Sequence, residues 1–292
     1  MLQVKIVFLL LLPLIFLPSC QKSKPPEKPA FAASPSSSSL TKRISKIQVT
    51  YQLLSGKSPL LSWLHKGVSE DTLNILLALN RVSERHLFRL DSLIVPDTFL
   101  SDLKDYAPFP RALDSVRDVK KIIFISNSIQ AFGAYENGAV IRWGPVSLGK
   151  VSTPTKNGLY HTNWKSKRAV STIDEAWIMN WYFNLDNFKG VSLHEYDLPG
   201  FPASHSCARM LEKDAKWIYY WADQWILSSN SRIAGYGTPV IIYGSYPYAS
   251  EEPLRQIKHI TGETTIAEIK TEIETFHSLI LKRQTERTSL LE

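Results

Sequence analysis

Val191-Ser-Leu-His194-Glu-Tyr-Asp-Leu-Pro-Gly-Phe-Pro-Ala-Ser204-His205-Ser206-Cys207-Ala-Arg209-Met210 is the most informative stretch of this 292-residue chain. A thiol is a weak nucleophile while protonated, and its ordinary pKa of about 8.5 must fall for reaction near neutrality. Cationic or hydrogen-bonding neighbours achieve that. His205 stands two residues before Cys207, Arg209 two after, and His194 lies across a Pro/Gly loop able to fold back. A lone thiol near histidines is a nucleophile candidate. Two other readings stand beside it: a small buried hydrophobe, or a metal site made of His194, His205 and Cys207. The polarity of Ser-His-Ser-Cys-Ala-Arg argues against a core strand.

The flanking sequence is mostly β. Lys121 to Ile125 and Ala131 to Tyr135 are apolar strands around a polar turn. Asn137-Gly138 supplies a hairpin turn that tolerates positive φ, and Ala139 to Trp143 continues the meander. Gly237-Thr-Pro-Val-Ile-Ile-Tyr243 is a further strand, and Leu211, Ala215, Ile218 and Ala222 place a helix over 211–226. These elements make a mainly β domain with flanking helices over 119–250. Before it, 47–96 reads as a small α/β subdomain: strand 47–53, helix 69–79, strand 93–96. After it, 251–292 is a helical extension. Ile266, Ile269, Ile273, Phe276 and Ile280 form one stripe that reads as a helix lying on the β domain, with a dimerising coiled coil as the alternative. Thr265 and Glu268 fit a capping box, and Lys282 and Arg283 suit the negative end of the helix dipole.

The chain begins with a basic start, then an apolar run from Ile6 to Leu17, then Leu17-Pro-Ser-Cys20. Twelve apolar residues are too few to cross a bilayer core, which needs about 20, but they match a signal peptide. A small residue before Cys20 resembles a bacterial lipoprotein box. That resemblance implies a signal at 1–19, cleavage before Cys20 and lipidation there, with Gln21 pointing to the periplasmic face of an outer membrane. Residues 20–43, rich in Lys, Pro and Ser, read as a disordered tether. With only two cysteines, and Cys20 consumed by lipid, Cys207 has no partner, so a disulfide framework and a multi-cysteine zinc site are excluded. The net charge of +7 favours anionic surroundings such as wall polymers or lipid headgroups.

Four ordered motifs over 119–245 then resemble the L,D-transpeptidases, the YkuD-type catalytic domain. They are Pro145-Val-Ser-Leu-Gly149-Lys150, Thr153-Pro-Thr-Lys-Asn-Gly158, the His194 to Arg209 segment, and Gly237-Thr-Pro-Val240. The resemblance implies a β-sandwich catalytic domain and a cysteine acyl transferase acting on peptidoglycan stem peptides. Cys207 would be the nucleophile and His194 the general base. His205 would orient the loop or add polarisation, and the backbone N–H groups of Ser206 and Cys207 would hold the oxyanion. Arg209, Ser204 and Tyr160 would bind substrate; Trp164, Trp177 and Trp181 read as core packing first, with cover of the cleft as the alternative. It calls for no cofactor, no metal and no nucleic-acid partner. It leaves the oligomeric state open, and also whether an amine or water resolves the thioester. A non-catalytic wall-binding lipoprotein is the other alternative. Two positions depart from the family pattern: Ser206 stands where Gly is usual, and Glu195 where Gly or Ser is common. Residues 47–96 also resemble a lysin-motif (LysM) glycan-binding module, with a packing subdomain as the alternative.

Overall fold

The computed structural model describes residues 49–55, 67–171, 174–248 and 265–292. The stretches expected to be a signal (1–19) and a tether (20–43), with Cys20, and the Thr265 side chain lie outside the described residues. From Ile47 to Glu292 the chain forms one compact unit.

β1 (Tyr51–Ser55) leads to α1 (Glu70–Asn80), the one-turn α2 (Glu84–Leu87) and β2 (Ser92–Pro96), which pairs antiparallel with β1. Ser69 starts α1 as its N-cap, accepting a hydrogen bond from the Thr72 N–H. The helix stops at Arg81 in the left-handed region, φ 57°. The buried Arg81 guanidinium donates to the Ile129 carbonyl at 2.9 Å and lies 5.3 Å over the Trp143 ring. Burial lowers its pKa to about 10, although Tyr51 opposes the change. Asn80 closes the unit by bonding both the N–H and the C=O of Ile94. Ile75, Ala78, Leu79 and Ile94 belong to the same apolar core as the strands that follow.

Those strands are β3 (Lys121–Ser126), β4 (Ala131–Glu136), β5 (Ala139–Ser147), β6 (Gly158–His161), β7 (Lys165–Val170), β8 (Ile178–Asp186), β9 (Val191–Glu195) and β10 (Ala208–Met210). Next come α3 (Glu212–Trp221), the short pair β11 (Ile226–Leu227) and β12 (Ile233–Gly235), then β13 (Pro239–Tyr243) and α4 (Thr265–Thr288). The main sheet has nine strands in the order β6-β13-β3-β4-β5-β10-β9-β8-β7. Pairs β13/β3 and β10/β9 are parallel. The β4–β5 turn carries two positive φ angles, 47° at Asn137 and 79° at Gly138, the geometry that a two-residue hairpin needs.

β3 is buried on both faces. Ile122 and Phe124 enter a core shared with α1 and α4, whereas Ile123 and Ile125 enter a second core with Phe183, Leu193 and Met210. The expected sandwich is therefore one continuous sheet that curls on itself. Its ends meet where the Asn163 N–H donates to the Asn184 carbonyl at 2.8 Å and the Asn184 N–H to that of Trp164 at 2.9 Å.

Three local expectations shift. The helix expected over 211–226 ends at Trp221, because Asp223 is drawn into pairing with Thr238 and Thr162. Residues 208–210 are a central strand despite their polar surroundings. α4 extends past Lys282 and Arg283, leaving Arg287 as the basic residue of its last turn. Ile269, Ile273 and Ile280 bury it in the first core, while Ile266 stays exposed.

Candidate active site

The parallel pairing of β9 and β10 sets Ala208 beside Leu193 and Arg209 beside His194. Side chains alternate across a strand. Val191, Leu193, Ala208 and Met210 therefore enter the second core, and Ser192, His194, Cys207 and Arg209 share the opposite face. β8 continues the pattern, with Phe183 and Leu185 in the core and Tyr182 and Asn184 facing out. These outward residues line a cleft of about 250 Å³.

The loop joining β9 to β10 is held from two sides. The Ser83 N–H donates to Leu198 O at 2.9 Å, and the Ser204 N–H to Leu148 O at 2.9 Å. The Thr155 hydroxyl donates to Ser206 O at 2.9 Å and accepts from the Gly149 N–H at 2.8 Å. A side chain at Gly149 would collide with the backbone at Thr153 and Thr155. The Gly-Lys and Thr-Pro-x-x-x-Gly motifs are thus the cradle of the Ser204–Cys207 turn. Ser206 takes φ 89° within that turn. A side chain in this region costs about 1–2 kcal/mol, so the departure from Gly carries strain.

The Cys207 thiol donates to Gly190 O at 3.2 Å and accepts from the Ser192 hydroxyl at 3.1 Å. The Ser192 N–H bonds the sulfur as well. Burial raises the thiol pKa, while the Ser192 bonds and the Arg209 charge pull it down. Behind Ser192 runs a polar chain: Asn163 Nδ2 donates to Asn184 Oδ1 at 2.9 Å, and Asn184 Nδ2 to the Tyr182 hydroxyl at 3.2 Å. The Tyr182 hydroxyl also interacts with Ser192, which brings this chain to the residue that donates to the sulfur.

His194 is buried, with Nδ1–H donating to Glu195 O at 2.8 Å. That bond leaves the Nε2 lone pair as the basic site. Burial lowers its pKa to about 4, against a raising contribution from the Glu195 bond, so the ring is neutral at pH 7. The Tyr182 ring stacks near it, with centroids 6.5 Å apart. No hydrogen bond joins His194 to Cys207 among the described residues; the two share the cleft. His205 is fixed differently: Lys150 Nζ donates to its Nε2 at 3.1 Å, and its ring lies 4.8 Å from that of Trp177. Arg209 lines the cleft with its guanidinium 4.6 Å over the Tyr196 ring. The Ser204 hydroxyl donates to Cys207 O at 2.5 Å, so Ser204 shapes the turn.

Trp164 and Trp177 line the cleft, but Trp181 packs against Tyr219 and Tyr220 beside α3. Tyr160 is buried in the second core, its hydroxyl on Lys156 O, and does not line the cleft. Sequence reasoning missed Ser192, Tyr182, Asn184 and Gly190. A signal for Ser192 existed: it lies two residues before His194 in an alternating strand and so shares its face.

Residues 120–242, somewhat less than half of the chain, match the family model of the YkuD L,D-transpeptidase catalytic domain. Solved structures that it resembles include an L,D-transpeptidase from Stackebrandtia nassauensis, at 21% identity over 44% of this chain and 58% of that one, TM-score 0.36. Another is an L,D-transpeptidase from Mycobacterium smegmatis, at 19% identity over 43% and 59%, TM-score 0.35. A third is L,D-transpeptidase 1 from Mycobacterium tuberculosis, at 23% identity over 42% and 62%, TM-score 0.33. The matched region thus spans less than two thirds of each of these chains. No curated protein matches the sequence.

Proposed function

We propose that the protein is an L,D-transpeptidase that acts on peptidoglycan stem peptides through a thioester on Cys207. The observation that carries this reading is the shared cleft: a thiol, a neutral imidazole and a free guanidinium project from two paired strands within the matched domain. His194 Nε2 takes the thiol proton, and the sulfur attacks the carbonyl of the third stem residue. Backbone N–H groups of Ser206 and Cys207 stabilise the oxyanion, each contributing about 3–4 kcal/mol. The terminal D-Ala departs with a proton returned by His194. An amine of a second stem then displaces the sulfur and forms the new amide. Arg209, with no carboxylate within ion-pair distance among the described residues, is suited to a stem carboxylate. Hydrolysis of the same thioester would make the protein a carboxypeptidase or amidase.

As part of this proposal the protein is anchored by lipid at Cys20, on the periplasmic face of an outer membrane. Labelling with a fatty-acid analogue, lost in Cys20→Ser, tests the anchor. For the chemistry, the detergent-solubilised protein is incubated with a disaccharide-tetrapeptide and followed by mass spectrometry. D-Ala release with a cross-linked dimer supports transfer, and release with a tripeptide alone supports hydrolysis. His194→Ala and Cys207→Ala should each abolish turnover. Absence of D-Ala release from the wild type, together with no covalent carbapenem adduct, would leave only the non-catalytic wall-binding alternative.

A further inference from the structure

A second cavity, of about 160 Å³, shares no lining residue with the catalytic cleft. It lies between the C-terminal half of α4, the end of β6 and the chain around Tyr236. The lining is basic: Lys120, Lys121, Arg283 and Arg287 accompany one carboxylate, Asp223. Lys121 already pairs with Asp223 at 3.1 Å. Among the described residues, Lys120, Arg283 and Arg287 have no carboxylate within ion-pair distance. Arg287 donates to the carbonyls of Gln224 and Tyr236, and Arg283 lies 4.0 Å over the Tyr236 ring.

His161 lines the same cavity, and its side chain is 5% exposed. Its Nδ1 is 3.4 Å from Arg283 Nη1. A guanidinium can only donate, so Nδ1 accepts and the ring proton sits on Nε2. That Nε2–H is buried and has no acceptor among the described residues. Burial, reinforced by the Arg283 charge, lowers the His161 pKa to about 3, which keeps the imidazole neutral and this tautomer in place.

Three cations without carboxylate partners around one cavity call for an anionic ligand made of acceptors, and the neutral His161 ring orients Arg283 by accepting from it. Water would satisfy their N–H groups but not the charge. We propose that this pocket binds a phosphate group, held by Arg283 and Lys120. The phosphate could be free or carried as a monoester on a lipid headgroup, because the recognition chemistry is shared.

The test is calorimetric titration of inorganic phosphate into the full-length protein in detergent at low ionic strength. Acetate serves as the carboxylate control, and detergent-free flotation of the unlipidated Cys20→Ser protein with phosphatidylcholine vesicles, with and without phosphatidate, serves as the lipid arm. One-site saturation by phosphate is expected, about tenfold weaker in Arg283→Gln and Lys120→Gln, with acetate weaker than phosphate. Lys120 is exposed and its one side-chain bond to α4 goes to the Thr288 hydroxyl at 3.3 Å, so a Thr288→Val variant, expected to leave phosphate affinity unchanged, separates loss of that bond from loss of the charge. Flotation that needs both phosphatidate and these side chains assigns the source to a headgroup; phosphate binding without flotation assigns it to the soluble anion. No saturation up to about 10 mM phosphate, or unchanged affinity in both variants, overturns the proposal.

Discussion

Replacing Ser192 by Ala isolates the hydrogen bond that the polar chain delivers to the Cys207 sulfur at 3.1 Å. The Ser192 backbone N–H contact survives the change. A hydrogen bond between neutral groups contributes about 0.5–1.5 kcal/mol, and one to a charged group about 1.5–3. Losing the hydroxyl therefore penalises the thiolate over the thiol by about 1.4 kcal/mol, a tenfold smaller thiolate population below the midpoint of ionisation. The more basic thiolate is also more reactive. With a Brønsted slope near 0.4–0.5, that returns about threefold. Alkylation of Cys207 by iodoacetamide should then run about threefold slower than wild type at low pH and about threefold faster at high pH. The two rate profiles cross.

The assay is intact-mass kinetics across pH in a Cys20→Ser background, so that Cys207 is the only thiol. Tyr182→Phe, one link further along the chain, should move the profile in the same direction by less. Superimposable profiles for wild type and Ser192→Ala would refute the argument. Parallel displacement without a crossing would show that Ser192 shapes the loop and leaves the thiol's ionisation alone.

Ser206→Gly removes a side chain from φ 89° and should stabilise the protein by up to about 1 kcal/mol, read as a higher urea midpoint. Unchanged or lower stability would place no strain at that turn. Arg142→Met should destabilise by about 3–5 kcal/mol, because Asp214 is 1% exposed and Arg142 is its ion-pair partner at 2.7 Å. The double variant Arg142→Met, Asp214→Leu should recover much of that loss if the unpaired carboxylate is its cause. The folded pKa values of His194 and His161, lowered to about 4 and about 3, lie below the unfolded value near 6.5, so the unfolded chain binds more protons in that window. Each ring thus supports the fold above pH 6.5, and the support fades as pH falls, by roughly 3 kcal/mol per site at pH 4. Guanidinium unfolding of His161→Phe should show a shallower loss between pH 6.5 and 4 than wild type; equal slopes would remove His161 from this account.

Much of the fold was legible because its strongest signals are local. The apolar runs at 121–125 and 131–135, the Asn137-Gly138 turn and the stripe from Ile269 to Ile280 each report a short-range geometry. The C-terminal stripe even named its neighbour correctly, since Ile269, Ile273 and Ile280 lie in the core of the β domain. Local reasoning failed where tertiary contacts overrode it. Helical spacing from 211 to 226 runs past Trp221, yet Asp223 and Thr238 bind one another and end the helix. The polarity of 204–209 spoke against a strand, but β10 pairs on both edges and turns its polar side chains into the cleft.

By itself the sequence determined the chemistry on offer: the Cys207 thiol, two histidines and an arginine around it, and a loop rich in Pro and Gly to bring them together. It also marked Ser206 as a departure from the usual glycine, and the structure gives that residue a φ of 89°. Only the tertiary structure decided which groups touch the sulfur. Ser192 and Gly190 hold it, His205 is occupied by Lys150, and Tyr160 faces away into the core. The reason is that a strand's pattern states which residues share a face. Which faces meet depends on sheet order and curl, set by pairings between residues far apart in the chain. The Asn163–Asn184 contact closes the sheet and starts the polar chain to Cys207, and no window of sequence contains both ends of it.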